Sequence, residues 1–222
     1  MTEFPSPNFG ERRGGVVPSL VVIHYTAMTS CAAARERLCD PAAEVSAHWL
    51  ISEDGGAEAL VPEDARAWHA GAGWWAGGDD VNSRSIGIEL ANRGDHPFPE
   101  PQMAALEGLL RGIMARWSIP PAGVIGHSDM APARKRDPGL RFDWGRLARQ
   151  GLALRPAALP AEGDFRDHLL RAGYDPALSD DLLLTAFRLR FRPWGDGSLS
   201  AEDRKLAARV AQAAVDAGTG TA

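Results

Sequence analysis

Residues 124–139 join a short apolar run to a loop of charged and metal-ligating side chains. The run 124–126 has the composition of a strand, and His127 follows it directly. The Pro- and Gly-containing loop that comes next returns Lys135 and Asp137 towards the same point. An imidazole, a carboxylate and an ammonium gathered in this way predict a metal site with a cation beside it.

Two other apolar runs carry side chains that suit the same chemistry. The β-branched run 20–24 predicts a strand buried on both faces, and it ends at His24, where the chain turns polar. A further strand over 85–90 carries Glu89, and a lone carboxylate there must be paired, bound to a metal or shifted in its pKa. His24 is therefore either a ligand or a hydrogen-bonded core histidine, and Glu89 is a candidate acid or base.

A glycine-rich loop over 67–80 adds aromatic side chains, among them three of the seven tryptophans. Tryptophans in such a loop favour the wall of a ligand site over core packing. We interpret Trp68 and His69 in this sense. His48, by contrast, lies inside a predicted strand over 45–51, so we interpret it as a buried, hydrogen-bonded histidine.

These residues need a scaffold of alternating strands and helices. Apolar runs and turn residues predict strands at 20–24, 45–51, 57–61, 85–90 and 124–127. Helical signals lie at 30–38, 101–117 and 142–150. The apolar positions of the 101–117 helix recur at a spacing of three and four residues, which suits a helix that covers a sheet. The alternation predicts an α/β domain with a mixed central β-sheet flanked by helices.

The last part of the chain is helical and follows an Ala/Pro-rich linker at 156–160. Three short helices are predicted at 165–174, 180–191 and 201–217. We therefore divide the chain into a catalytic domain, 1–155, and a small C-terminal three-helix domain, 160–222. Few contacts are expected to cross the linker. The apolar face of the middle helix either closes its own bundle or packs on the first domain.

The composition of the chain indicates which classes of partner and which cell compartments are expected. The chain has 222 residues, of which 45% are hydrophobic and 24% charged, and a net charge of -5. This acidic balance gives no reason to expect nucleic acid as a partner. No apolar run reaches the ~18 residues of a membrane span, and residues 1–15 lack the apolar segment of a signal peptide. We expect a cytoplasmic monomer, with a periplasmic location as the alternative, and reduced thiols at Cys31 and Cys39.

The candidate residues together describe hydrolysis of an amide. Two imidazoles and one carboxylate leave a fourth position on tetrahedral zinc open, where water becomes acidic. A buried glutamate takes the proton and passes it to the leaving amine. A fixed ammonium stabilises the oxyanion. The sequence lacks HExxH, which argues against the commonest zinc peptidase arrangement.

Four segments carry a resemblance to a known family: 22–27, 67–71, 82–89 and 126–139. They resemble, in family order, the zinc N-acetylmuramoyl-L-alanine amidases of the AmpD and AmiD group. The resemblance spans about residues 20–140. It implies the sheet of peptidoglycan-recognition proteins and cleavage of the amide between N-acetylmuramic acid and L-alanine, for cell-wall turnover and recycling.

The resemblance also implies roles for individual residues. The zinc ligands would be His24, His127 and Asp137. The catalytic groups would be Glu89 as base and Lys135 as oxyanion partner. The candidate substrate-binding residues are Tyr25, Trp68, His69 and Asn82.

The tail refines the resemblance and leaves some questions open. Residues 186–194 resemble the C-terminal helical domain of AmiD-type enzymes, which is related to peptidoglycan-binding modules and which AmpD-type enzymes lack. The expected partners are peptidoglycan fragments or the sacculus. Two alternatives remain at this point: a non-catalytic peptidoglycan receptor on the same fold, and an antibacterial effector amidase. Whether the sugar is 1,6-anhydro or ordinary N-acetylmuramic acid is also open.

Overall fold

A computed structural model describes residues 5–218, so the outer ends of the two predicted domains, 1–4 and 219–222, lie outside the described residues. The strands are β1 Phe9–Gly10, β2 Leu20–Tyr25, β3 Trp49–Ile51, β4 Ala57–Ala59, β5 Arg66–Ala67, β6 Ser85–Leu90 and β7 Val124–Gly126. The helices are α1 Cys31–Cys39, α2 Val81–Arg84, α3 Glu100–Trp117, α4 His127–Met130, α5 Trp144–Arg149, α6 Phe165–Ala172, α7 Asp180–Phe191 and α8 Ala201–Asp216. The predicted mixed sheet with flanking helices is confirmed.

The central sheet brings the candidate residues to one edge. Its strand order is β4-β3-β6-β2-β7, with only β4 antiparallel to its neighbour. The register places His24 beside Glu89, and it places Ile23 beside Gly126, so that His127 follows next to His24. All three side chains therefore lie at the carboxyl ends of parallel strands, which is where open α/β sheets bind ligands.

The two faces of the sheet bury different helices. On one face, α3 packs its apolar residues against Ile23, Ile86 and Ile88. On the other face, Leu20 and Val22 share a hydrophobic cluster with α6, α7 and α8. Because side chains alternate along a strand, His24 lies on the same face as Leu20 and Val22. The candidate site is therefore on the side of the sheet that the C-terminal helices cover.

The C-terminal helices pack on the sheet as well as on one another. Leu183 and Phe187 of α7 are fully buried in the same cluster as Leu20, Val22 and Ile125 of the sheet. The linker is also bonded, since the backbone N–H of Ala157 donates to the carbonyl of Arg209 in α8. The expectation of few contacts across the linker was wrong, because the apolar face of α7 packs on the sheet as well as on Phe165 of α6.

Three predicted strands are shorter than expected, and the one predicted at 57–61 covers only Ala57–Ala59. In the 45–51 segment only Trp49–Ile51 pairs as β3, because the N–H of Ser46 donates instead to the carbonyl of Trp68 in the neighbouring loop. His48 is buried, and its Nδ1 accepts from the N–H of Gly87 at 2.9 Å, which confirms its structural role. β7 ends at Gly126, so His127 opens a helix instead of closing a strand.

Among residues 5–218, no helix combines the length and apolar character that crossing a bilayer requires.

Candidate metal centre and active site

Three buried side chains point one atom each at a common position. The Nδ1 atoms of His24 and His127 are 2.9 Å apart, and Asp137 Oδ2 lies 3.0 Å from the first and 2.9 Å from the second. All three residues are at most 7% exposed. The residues lie in β2, at the start of α4 and in the loop after α4, so the fold brings together groups that are up to 113 residues apart.

The other ring nitrogen of His127 determines where its proton lies. His127 Nε2 is 2.9 Å from the carbonyl oxygen of Ala70, which can only accept. We therefore assign the proton to Nε2, which leaves a lone pair on Nδ1.

A longer chain of hydrogen bonds determines the tautomer of His24. The Ser85 hydroxyl donates to the carbonyl of Val81 at 2.6 Å, so its oxygen is an acceptor for His69 Nε2 at 3.2 Å. His69 Nδ1 is then free to accept from His24 Nε2 at 3.0 Å. His24 Nδ1 consequently also presents a lone pair. Burial lowers the pKa of His24 to about 4 and that of His69 well below its usual value, so both rings are neutral at pH 7.

These assignments test whether a metal ion fits the site. Two lone pairs and a carboxylate oxygen face one another within 3.0 Å, an arrangement that repels unless a cation lies between them. Ligand atoms of a tetrahedral metal site are about 3.3 Å apart at metal–nitrogen distances of about 2.0 Å. The group therefore fits a divalent metal ion.

The loop that carries Asp137 is held against α4 by its own backbone. The N–H of Ser128 donates to the carbonyl of Asp137 at 2.9 Å, which ties the two ligand-bearing segments together. Gly126 allows this approach, because a Cβ there would lie 2.8 Å from Pro138 Cδ. Arg134, which sequence reasoning missed, donates to the carbonyls of Ala70 and Ala72 and so joins this loop to the 67–80 loop.

Glu89 lies beside the ligand group and is poorly solvated. Burial, followed by the charge of Asp137, raises the pKa of Glu89 to about 8, while the Lys135 ammonium opposes the rise. Its buried Oε2 has no hydrogen-bond partner within residues 5–218. A second positive charge next to Glu89 would lower this pKa, as a bound metal ion does. An unpartnered carboxyl oxygen beside a metal site is placed to exchange a proton with a ligand.

A cavity of about 420 Å³ opens onto these groups. Glu89 and Lys135 both line it, together with the three ligand residues. In the part of the chain that the structure describes, the Lys135 side chain makes no hydrogen bond and no ion pair, and it is half-buried. Its charge is therefore available to a molecule in the cavity.

The predicted substrate-binding residues fall into two groups. Tyr25 and Trp68 are half-buried and line the cavity. His69 also borders the cavity, but it is 9% exposed and its two nitrogens contact His24 and Ser85. Asn82 does not line the cavity, and its Oδ1 accepts from the N–H groups of residues 69 and 70, so its role in substrate binding stays a prediction.

The fold and the site together define a class of protein. The mixed sheet brings together two histidines and one aspartate that could bind one metal ion, with a half-buried glutamate and a free ammonium beside them. This is the arrangement of a metal-dependent hydrolase.

Comparison with known proteins identifies the family. Residues 14–140 match the family model of N-acetylmuramoyl-L-alanine amidases, Amidase_2, and the chain belongs to this family of enzymes. It is 35% identical to N-acetylmuramoyl-L-alanine amidase AmiD of Escherichia coli over 85% of this chain and 80% of that protein. It is 34% identical to 1,6-anhydro-N-acetylmuramyl-L-alanine amidase AmpD of Escherichia coli over 64% of this chain and 87% of that protein.

A solved structure supports the same assignment. The complex of Escherichia coli AmiD with the substrate anhydro-N-acetylmuramic acid-L-Ala-D-gamma-Glu-L-Lys superimposes with a TM-score of 0.79 and 32% identity. The match covers 92% of this chain and 97% of that chain, so it extends through the C-terminal helices.

Proposed function

We propose that this enzyme uses zinc to hydrolyse the amide between N-acetylmuramic acid, or its 1,6-anhydro form, and the L-alanine of the stem peptide. The observation that carries the proposal is the convergence of two imidazole lone pairs and a carboxylate oxygen next to Glu89. The AmiD substrate named above contains the bond in question. The predicted role is peptidoglycan turnover and recycling.

The proposed reaction assigns separate roles to the metal-binding residues, to Glu89 and to Lys135. His24, His127 and Asp137 would hold zinc, which when bound polarises the scissile carbonyl and acidifies water. Glu89 accepts a proton from the attacking water and delivers it to the leaving nitrogen of L-alanine. Lys135 provides a fixed positive charge where negative charge develops on the carbonyl oxygen.

The charge of the cavity suits an anionic ligand. Four cationic side chains line it: Arg37, Arg134, Lys135 and Arg136. The whole chain carries a net charge of -5, so this cluster is a local exception. A stem peptide that contains γ-linked glutamate has free carboxylates for such groups to attract.

Replacing Lys135 tests its role as oxyanion partner. Lys135→Met is expected to lower kcat by about 10²–10³-fold with little change in KM, because the lost charge acts mainly on the transition state. Arg141→Met is the control, since Arg141 is exposed and is not among the residues that line the cavity. Steady-state kinetics on a soluble anhydromuropeptide measure both. Equal losses in the two variants would contradict the assignment.

Replacing His69 tests the hydrogen-bond chain behind His24. His69→Phe removes the acceptor for His24 Nε2, and zinc affinity is expected to fall by about 10–100-fold. Chelator competition measures the affinity. His168→Phe is the control, because His168 is a buried histidine of α6 outside the site. An unchanged zinc affinity in His69→Phe would show that His69 does not orient the ligand.

A direct assay decides between substrates and tests the function as a whole. Purified zinc-loaded enzyme is incubated with intact sacculi and, separately, with anhydromuropeptides, and the products are identified by mass spectrometry. Release of stem peptides with a free L-alanine amine is expected from at least one substrate. Binding without release from either would favour the receptor alternative. The monomeric state and the cytoplasmic location stay predictions, which sedimentation and cell fractionation check.

A further inference from the structure

α4 carries the ligand His127 and is anchored by a buried carboxylate two residues further on. Asp129 is 1% exposed, and its Oδ2 accepts from the N–H of Gly126 at 2.8 Å, which closes the first turn of the helix. A four-residue helix cannot hold its position by its own hydrogen bonds. The direction of His127 therefore depends on what holds Asp129.

The partners of Asp129 come from the C-terminal region. Arg190 of α7 donates to Asp129 Oδ2 at 2.5 Å, and the hydroxyl of Tyr174 donates to Oδ1 at 3.0 Å. Arg190 also donates to the carbonyl of Val124 in β7 at 2.8 Å. Its guanidinium lies 4.3 Å from the centre of the Trp144 ring. The three hydrogen bonds therefore link residues of 160–222 to β7, which precedes His127, and to α4, which begins at His127.

Arg190 and Asp129 form a buried ion pair. The side chains of Arg190 and Asp129 are 3% and 1% exposed, so neither charge is compensated by water. Removing one member of such a pair leaves an uncompensated charge in the interior, and the structure must shift to relieve it. The element most free to shift is α4, because it is only one turn long and a loop follows it.

We propose that Arg190 and Tyr174 are positioning residues for the metal centre: through Asp129 they fix α4, and so direct His127 Nδ1 at the ion. The C-terminal helices then contribute to the geometry of the metal centre, and this contribution is separate from binding to the cell wall. This inference rests on the proposed zinc site.

The test compares two buried arginines of the same helix. Arg190→Met breaks the pair with Asp129, whereas Arg188→Met breaks the largely buried pair that Arg188 forms at 2.6 Å with Asp203 of α8, which keeps Arg192 as a second partner. Both changes remove a buried ion pair from α7, but only the first touches α4. Zinc affinity is measured on the full chain by chelator competition, at a temperature well below the unfolding midpoint of each variant. The absorption spectrum of the cobalt(II)-loaded protein reports ligand geometry independently.

Arg190→Met is expected to weaken zinc binding by about 10–100-fold and to change the cobalt spectrum. Arg188→Met is expected to stay within about twofold of wild type in zinc affinity, although its unfolding midpoint falls. Tyr174→Phe removes one hydroxyl and keeps the ring, so it is expected to give a smaller weakening of the same kind. If Arg190→Met does not fold, Tyr174→Phe against Arg188→Met decides the question.

Two results would overturn the positioning role, and a third would overturn the proposed zinc-dependent function. Equal losses of zinc affinity in Arg190→Met and Arg188→Met would mean that any damage to α7 has the same effect, and the positioning role would be wrong. Wild-type affinity in both Arg190→Met and Tyr174→Phe would also overturn it. Failure of the wild-type protein to bind zinc would instead overturn the proposed function, so the two failures are distinguishable.

Discussion

His24→Ala is expected to abolish stoichiometric zinc and, with it, amidase activity. Wild-type protein is expected to contain about one zinc per chain, because the ligands form one open tetrahedral set. His24 is one of three proposed protein ligands, and alanine at this position would leave only His127 and Asp137 to hold the ion. Elemental analysis by mass spectrometry after removal of free metal measures the stoichiometry.

The control for His24→Ala is a nearby histidine that is not a ligand. His48→Ala removes a fully buried ring that bonds to Gly87 and Ala65, so it is expected to lower stability but to retain zinc. If His24→Ala kept one zinc per chain while remaining folded, the ligand assignment would be wrong.

Glu89→Gln is expected to separate chemistry from metal binding. Glutamine keeps the shape of the side chain but cannot accept the proton, and loss of a general base typically costs about 10²–10⁴-fold in kcat. Zinc content is expected to stay at the wild-type level, because Glu89 is not one of the three ligands. Initial rates on an anhydromuropeptide, with zinc measured on the same samples, give both quantities.

Glu107→Gln is the matched control for this change. Glu107 is a buried glutamate of α3 that pairs with Arg146, on the opposite side of the sheet from the cavity. It is expected to keep nearly full activity. A Glu89→Gln enzyme within about threefold of wild type would rule out the role of Glu89 as base.

The strand ends were the part of the site that sequence could predict. Each of the apolar runs ending near His24, Glu89 and His127 has a strong strand signal, and parallel strands bring their carboxyl ends to one edge. The return of Asp137 to the same place follows from a loop only ten residues long. Local patterns were enough because the ligands lie close to the ends of regular elements.

The supporting residues could not be predicted in the same way. The roles of His69 and Asn82 depend on how the 67–80 loop lies against β6, which no local pattern encodes. The partners of Asp129 lie 45 and 61 residues further along the chain. One signal was available: α7 carries Arg188 and Arg190 in an apolar setting, and buried arginines require acidic partners.

The packing of the C-terminal helices was left open by the sequence, and only the expectation of few contacts across the linker was wrong. An Ala/Pro-rich linker is typical of a boundary between independent domains. Here the sheet presents an apolar second face, with Leu20, Val22 and Ile125 buried there. Burying that face under the C-terminal helices is favourable, and the hydrophobic free energy gained outweighs the conformational entropy lost by the linker.

The bond that is cleaved is the most direct test of the central claim. Zinc-loaded enzyme is incubated with anhydro-N-acetylmuramic acid tripeptide in water enriched in ¹⁸O, and the products are analysed by mass spectrometry. One ¹⁸O atom is expected in the lactyl carboxylate of the sugar product, and the peptide that begins with a free L-alanine amine is expected to be unlabelled. Label in the carboxylate of a peptide fragment, or a substrate that stays intact with zinc bound, would contradict the central claim.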